Sequence, residues 1–212
     1  MNGESLQKVD CTKFLGVLID HGLTWKPHID SISVKVAQCT GILSKLKHYL
    51  PRNILRSLYL TLILPHLSYC LPVWAGTSKK HLTKLTTLQK RAIRHICCVD
   101  SIEHTSKLFS SLNLLKFTDL IHIKEAVFAF RIVNNLAPPY FQQIFTFNCD
   151  THGHNTRQSR YLRLPRFNSK FLKQSLRVRA SSTWNTLPNE IQRCKSISCF
   201  KSKYFKHCIE NY

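Results

Sequence analysis

The sequence predicts a mainly α protein: a helical bundle preceded by one or two short strands and followed by a smaller, irregular, basic α+β segment. Three observations carry this. Apolar residues recur at helical spacing through most of residues 26–134. A short apolar run, KFLGVLID at Lys13–Asp20, precedes them. After Phe147 the texture changes to turn residues and basic side chains. The implied divisions are 1–25, 26–145 and 146–212.

Lys13–Asp20 is bounded by His21-Gly22 and suits a strand ending in a turn. Trp25-Lys26-Pro27 opens a helical pattern with Ile29, Ile32, Val36, Leu43 and Leu46 on one face. Lys35, Lys45 and Lys47 fall on its outer positions. Pro51 fits the first turn of a second helix that turns Ile54, Leu55, Leu58, Tyr59 and Leu62 inward. Pro65 ends or kinks that helix. The longest uncharged run, between Arg56 and Lys79, contains Pro65, Pro72 and Gly76, so it reads as a buried helix and a turn, not a membrane span.

Lys79–Ile96, KKHLTKLTTLQKRAIRHI, is the stretch that organises the rest. At about 100° per residue, Leu82, Leu85, Leu88, Ala92, Ile93 and Ile96 fall on one side. Lys80, Lys84, Arg91, Arg94 and His95 gather opposite, with Lys90 on the flank. A helix with an apolar face and an almost purely cationic one repels itself along that second face unless an anion lies there.

A neutral, apolar block follows. A short helix is expected around Lys107–Leu115, and Thr118-Asp119 offers a cap for a longer one through Asn134. Leu120, Ile121, Ile123, Val127, Phe128 and Phe130 nearly encircle that helix, which marks it as central to a core. Asn134-Asn135 and Pro138-Pro139 stop it. Beyond, Tyr161–Leu164 is strand-like, Lys170–Trp184 reads as a basic helix, and Leu187-Pro188 breaks the chain. Ser196 caps a last helix with Ile197, Phe200, Tyr204 and Ile209 inward.

Lys and Arg number 31 against 11 Asp and Glu, a net charge of +20. A field of that size favours polyanions. The charge is uneven: −1 over residues 1–25, +10 over 26–100, zero over 101–150 and +11 over 151–212. Two cationic surfaces on a common core are implied. At 43% hydrophobic the chain can bury that core, unlike a disordered basic tail. The nine cysteines are odd in number and scattered, and MNGESLQKVD carries no apolar leader, which points to a reducing compartment and mostly buried free thiols.

No active site or cofactor site emerges. Two-metal phosphoryl transfer needs closely placed carboxylates, and none of the eleven acids are adjacent. There is no Gly-rich phosphate loop. Cys149-x-x-His152-x-His154 lacks a clear fourth ligand. Cys194, Cys199, His207 and Cys208 offer four donors, but the adjacent pair fits one tetrahedral ion poorly. Neither is read as a metal site. His152–Arg160 is the densest set of hydrogen-bond donors: Arg157 and Arg160 suit phosphates, while Asn155 and Thr156 orient the turn beside His154. A purely structural turn is the other reading.

KFLGVLIDHGLTWKPHI, LYLTLILPHLSYCLPVW and LQKRAIRHI resemble the tail end of the reverse transcriptase of non-LTR (LINE-type) retrotransposons of the jockey-like group. HGHNTR, WNTLPNEI and Phe200-Lys201 are similar to the segment that follows the polymerase in the same proteins. The resemblance covers nearly the whole chain from about Lys13. It implies that Phe14, Leu15 and Gly16 close the palm and support the primer end, and that the helices beyond form a thumb gripping the template–primer duplex. Lys80, Lys84, Lys90, Arg91 and Arg94 would then contact phosphates, joined by His154, Asn155, Thr156, Arg157 and Arg160.

The implied partners are nucleic acid (an RNA–DNA hybrid or duplex, or retroelement RNA) and an intact polymerase acting in trans, without a membrane. The implied location is intracellular, nuclear or cytoplasmic. In that family the catalytic paired aspartates lie upstream of the Phe-Leu-Gly triplet. Only twelve residues precede Lys13 and they contain no such pair, so the chain is not expected to be an enzyme. Two alternatives stand beside this: a decayed coding fragment without independent activity, and a basic helical protein of membrane surfaces.

Overall fold

A computed structural model of the chain describes residues 8–150 and 161–212. The protein is mainly helical with one two-stranded sheet among the described residues. It forms two compact units: Met1–Cys70 with Thr77–Cys98, and Leu71–Gly76 with Val99–Tyr212. Composition changes elsewhere, near residues 25 and 145.

In the first unit, β1 (Cys11–Phe14) and β2 (Val17–Asp20) pair antiparallel, with Phe14 opposite Val17. The single strand expected over Lys13–Asp20 is therefore a hairpin that turns at Leu15-Gly16. Both turn residues have positive φ, 45° and 83°, as a type I′ turn requires. Asp20 then accepts hydrogen bonds from the Thr24 N–H (3.0 Å), the Thr24 hydroxyl (2.9 Å) and the Trp25 N–H (2.8 Å), which fixes the path into α1 (Lys26–Leu46). That helix has Pro27 in its first turn and buries Ile29, Ile32, Val36 and Leu43, as its spacing requires.

α2 (Arg52–Leu58) runs through a π-helical turn, Tyr59–Ile63, into α3 (Leu64–Ser68). Pro65 has no N–H and its ring crowds the carbonyl four residues back. The widened turn just before it, in which the Leu64 N–H reaches the Tyr59 carbonyl, accommodates the ring, so the chain stays helical through Ser68. The fully buried Tyr59 accepts a hydrogen bond from the Gln89 amide (2.8 Å). α4 (Leu71–Trp74) belongs to the second unit. α5 (Lys79–Cys97) returns to the first, packs along α1 and buries Leu85, Gln89, Ala92, Ile93 and Ile96.

The second unit adds α6 (Ser106–Ser111), α7 (Phe117–Val133), α8 (Pro139–Ile144), α9 (Lys170–Gln174), α10 (Leu176–Asn185), α11 (Asn189–Gln192) and α12 (Ile197–Glu210). α7 lies against α10 and α12. Phe130 sits 4.7 Å from Phe200, Trp184 stacks on Phe200 at 6.0 Å, and Trp74 stacks on Phe117 at 6.2 Å. Inside this aromatic core the Glu125 carboxylate is ion-paired with Arg179 and accepts the Thr183 hydroxyl (3.0 Å). Arg179 also donates to the Pro72 carbonyl (2.7 Å) and the Gln174 carbonyl (2.9 Å). Gly76 lies so close to this junction that a Cβ there would collide with the Gln174 carbonyl oxygen.

Several expectations need correction. α7 starts at Phe117; Asp119 lies in its first turn and accepts the Tyr212 hydroxyl (2.6 Å) instead of capping the helix. Val127 and Phe128 are only half-buried, so α7 is not covered all round. The basic helix expected over Lys170–Trp184 is broken at Ser175, whose extended backbone lets its hydroxyl cap α10. In Tyr161–Leu164 the described pairing is one bridge, Phe147 to Leu162. The thiols are free, but only Cys194 and Cys208 are buried. Ser196 caps α12 as expected. Among the described residues no helix is long and apolar enough to cross a membrane.

Candidate nucleic-acid interface

α5 carries no acidic residue. Its core positions anchor one side, and Lys80, Lys84, Lys90 and Arg91 stand exposed on the other. Lys80, Lys84 and Arg91 share a stripe that rises about 16 Å along the helix. Arg94 is half-buried. His95 departs from the expected cationic face: it is half-buried, and burial, reinforced by Lys47 and Arg91, holds its imidazole below the ordinary value. Thr83 and Thr87 lie along the stripe, but their hydroxyls donate back to the Lys79 and Thr83 carbonyls, both at 2.9 Å.

Beside the stripe, α1 and α5 enclose a groove of about 760 Å³. Lys26, Asp30, Ser33 and Val34 line it from α1, and Lys80, His81 and Lys84 from α5. Lys84 donates to Asp30 at 2.7 Å, with both side chains about half exposed (51% and 47%). The Lys84 hydrogen bond is the first cause that holds the Asp30 carboxyl below its usual range. An ion pair this exposed contributes about 0–1 kcal/mol, so an external phosphate can exchange with Asp30 for the ammonium.

The Phe-Leu-Gly triplet occupies the hairpin bend, with Phe14 62% and Leu15 73% exposed. The Tyr69 hydroxyl donates to the Leu15 carbonyl (2.7 Å), and its ring edge lies 3.5 Å from where a Gly16 Cβ would stand. Thr77 donates to the Thr24 carbonyl (2.8 Å) and its hydroxyl meets His81 Nδ1 at 2.9 Å, tying the start of α5 to the loop before α1. His154, Asn155, Thr156, Arg157 and Arg160 lie outside the described residues. Cys194 and Cys199 bring their sulfurs to 3.6 Å, but among the described residues no three metal-ligating side chains converge.

Sequence reasoning did not single out Lys26 and Asp30. Their signal was present: Lys26, Asp30, Ser33 and Ala37 recur at helical spacing on the flank of α1 beside Ile29 and Val36.

Over 128 residues the chain is 28% identical to the RNA-directed DNA polymerase from mobile element jockey of Drosophila melanogaster; the match covers 56% of this chain and 13% of that polymerase. A second match, 26% over 125 residues, is to the protein of the same name in Drosophila funebris, and covers 57% of this chain and 14% of that one. The chain thus matches about one-seventh of the length of these curated relatives. No protein-family profile and no solved structure matches it.

Proposed function

From this relationship to part of the RNA-directed DNA polymerases of non-LTR retrotransposons, we propose that the chain is a nucleic-acid-binding segment that grips a template–primer duplex through its phosphates. The observation that supports this most directly is the exposed cationic stripe of α5, set on a helix that buries Leu85, Gln89, Ala92, Ile93 and Ile96 on its opposite face. Lys80, Lys84, Lys90, Arg91 and Arg94 supply point charges and forked donors to phosphate oxygens. Such contacts fix position and register without reading sequence. The helix is immobilised by its core contacts, so the cations are presented without further ordering of the backbone. The exposed Phe14-Leu15-Gly16 bend meets the primer end, and His154, Asn155, Thr156, Arg157 and Arg160 add a second set of donors.

This chain's own acids are scattered, so its contribution is grip and not phosphoryl transfer. An intact polymerase supplies the chemistry in trans. Those partners put its work in the nucleus or cytoplasm.

The test is binding to an RNA–DNA hybrid across a salt series, beside single strands of the same length. Tight binding that favours the hybrid and weakens steeply with salt is expected. In the Lys84→Glu/Arg91→Glu double variant, loss of two phosphate contacts should flatten the log–log salt slope by about two. Unchanged affinity in that variant would refute the surface, and equal binding to every polyanion would leave charge alone as its basis.

A further inference from the structure

α7 carries apolar residues on two faces. Phe117, Ile121, Ala129 and Phe130 are buried in the core of the second unit. Leu120 and Ile123, 7% and 8% exposed, together with the half-buried Val127, at i, i+3 and i+7, also form the floor of a groove of about 440 Å³ whose other wall includes Phe205 of α12. Three cations ring that groove, Lys124 and Arg131 from α7 and Lys201 from α12, and none of its lining residues is acidic. All three are exposed residues. Their crowding is felt: desolvation first, and then the fields of Lys201 and Arg131, lower the Lys124 ammonium from its ordinary value. An apolar floor beneath a rim of one sign is the complement of an amphipathic segment of the opposite sign.

We propose that the groove between α7 and α12 is a docking site for a protein segment that folds as an acidic amphipathic helix, its aliphatic side chains on Leu120, Ile123 and Val127 and its carboxylates on Lys124, Arg131 and Lys201. Charge complementarity selects this occupant. A second copy of the chain would bring its own +20 to a cationic rim. A nucleic-acid strand would find the cations and the Phe205 ring at one wall, but the floor of Leu120, Ile123 and Val127 is aliphatic and suits leucine side chains better than bases. The Phe128 ring there already packs at steep angles against Phe141 and Phe145, with centroids 5.3 and 6.0 Å away. The inference concerns a surface of the second unit and is independent of the phosphate grip of α5.

The experiment uses the full chain and a fluorescein-labelled synthetic peptide with leucines at i, i+4 and i+7 and glutamates flanking them, read by anisotropy. The Arg131→Glu/Lys201→Glu variant changes only exposed positions and should keep the wild-type melting curve. It should lose affinity for the peptide on the order of tenfold. Val127→Ser, a half-buried floor position, should weaken binding as well. A peptide with its leucines replaced by serine should not bind. Equal binding of the serine peptide, or unchanged affinity in the charge-reversal variant, overturns the proposal. So does a short oligouridine that binds more tightly than the peptide and loses tenfold in the same variant, which would make the groove a strand site.

Discussion

Glu125 and Arg179, 54 residues apart in sequence, form an ion pair inside the second unit, where Glu125 is only 2% exposed. Through its remaining N–H groups Arg179 also holds the Pro72 and Gln174 carbonyls, so one guanidinium joins α7, α10, the end of α9 and α4. Burial lowers the Arg179 group from its ordinary value, and Glu125 opposes that shift. Arg179→Ala would leave a carboxylate buried without a countercharge, which costs about 3–5 kcal/mol. Arg179→Lys should recover only part, because an ammonium cannot reproduce the fork. Urea unfolding of both variants gives the comparison; equal stability of Arg179→Ala and wild type would contradict it.

Asp30→Asn removes the anion that Lys84 holds within the protein. If α5 contacts phosphates, this variant should bind an RNA–DNA hybrid about two- to fivefold more tightly, with little change in stability, because the exposed pair contributes about 0–1 kcal/mol. Filter binding at fixed salt tests this. Unchanged or weaker binding would place Lys84 outside the contact.

Stability should fall as pH is lowered from about 7 towards 5. His28 is buried and accepts the Leu18 N–H at Nδ1 (3.3 Å), which requires a neutral ring. Burial, then Lys35, lowers its folded value; burial, then Lys47 and Arg91, lowers that of His95. Below the ordinary imidazole range the unfolded chain binds protons that the folded one does not take up, so acid favours unfolding across that window. Denaturant midpoints measured over this range, with His28→Gln as the control that flattens the trend, decide it. A midpoint that holds steady or rises with acid would show that these rings are charged in the folded state.

Leu15 adopts a left-handed φ of 45°, which a branched side chain tolerates poorly. Leu15→Asn creates an Asn-Gly pair suited to the type I′ turn and should stabilise the hairpin by about 1 kcal/mol. Gly16→Ala, at φ 83°, should destabilise it by about as much. If Leu15 also touches the primer end, the Asn variant melts higher yet binds hybrid less well. Thermal melts and binding assays on one preparation separate the two effects.

The long helices were legible because their spacing and their stops agreed. Lys79–Ile96 became Lys79–Cys97, Trp25-Lys26-Pro27 marked the start of α1, and Ser196 marked that of α12. The hairpin escaped notice because Leu-Gly is a weak form of a turn usually written Asn-Gly or Asp-Gly. The π-helical turn depends on how neighbouring helices hold Tyr59 and Ile63, which no local pattern reports. Glu125 was overlooked because a lone acid on an apolar helix normally projects into solvent. Its partner Arg179 lay within a stretch so basic that no single arginine stood out. Periodicity identified α5 as the cationic helix, but the anion already beside it, Asp30, came from a helix 54 residues earlier.

Neither compact unit is continuous along the polypeptide, since Leu71–Gly76 supplies the second while its flanks build the first. During synthesis on a ribosome the first unit cannot close until Cys98 has emerged. By then Leu71 and Trp74, both fully buried in the finished protein, have already been made and must wait for Phe117 and the residues beyond. For that interval the nascent chain displays a greasy hexapeptide, LPVWAG, that chaperones or aggregation can capture. The same threading means that no single proteolytic cut releases either half whole: a break after Cys98 strands Trp74 on the wrong piece. A genomic truncation there would yield a product folded in its helices and sticky at one loop.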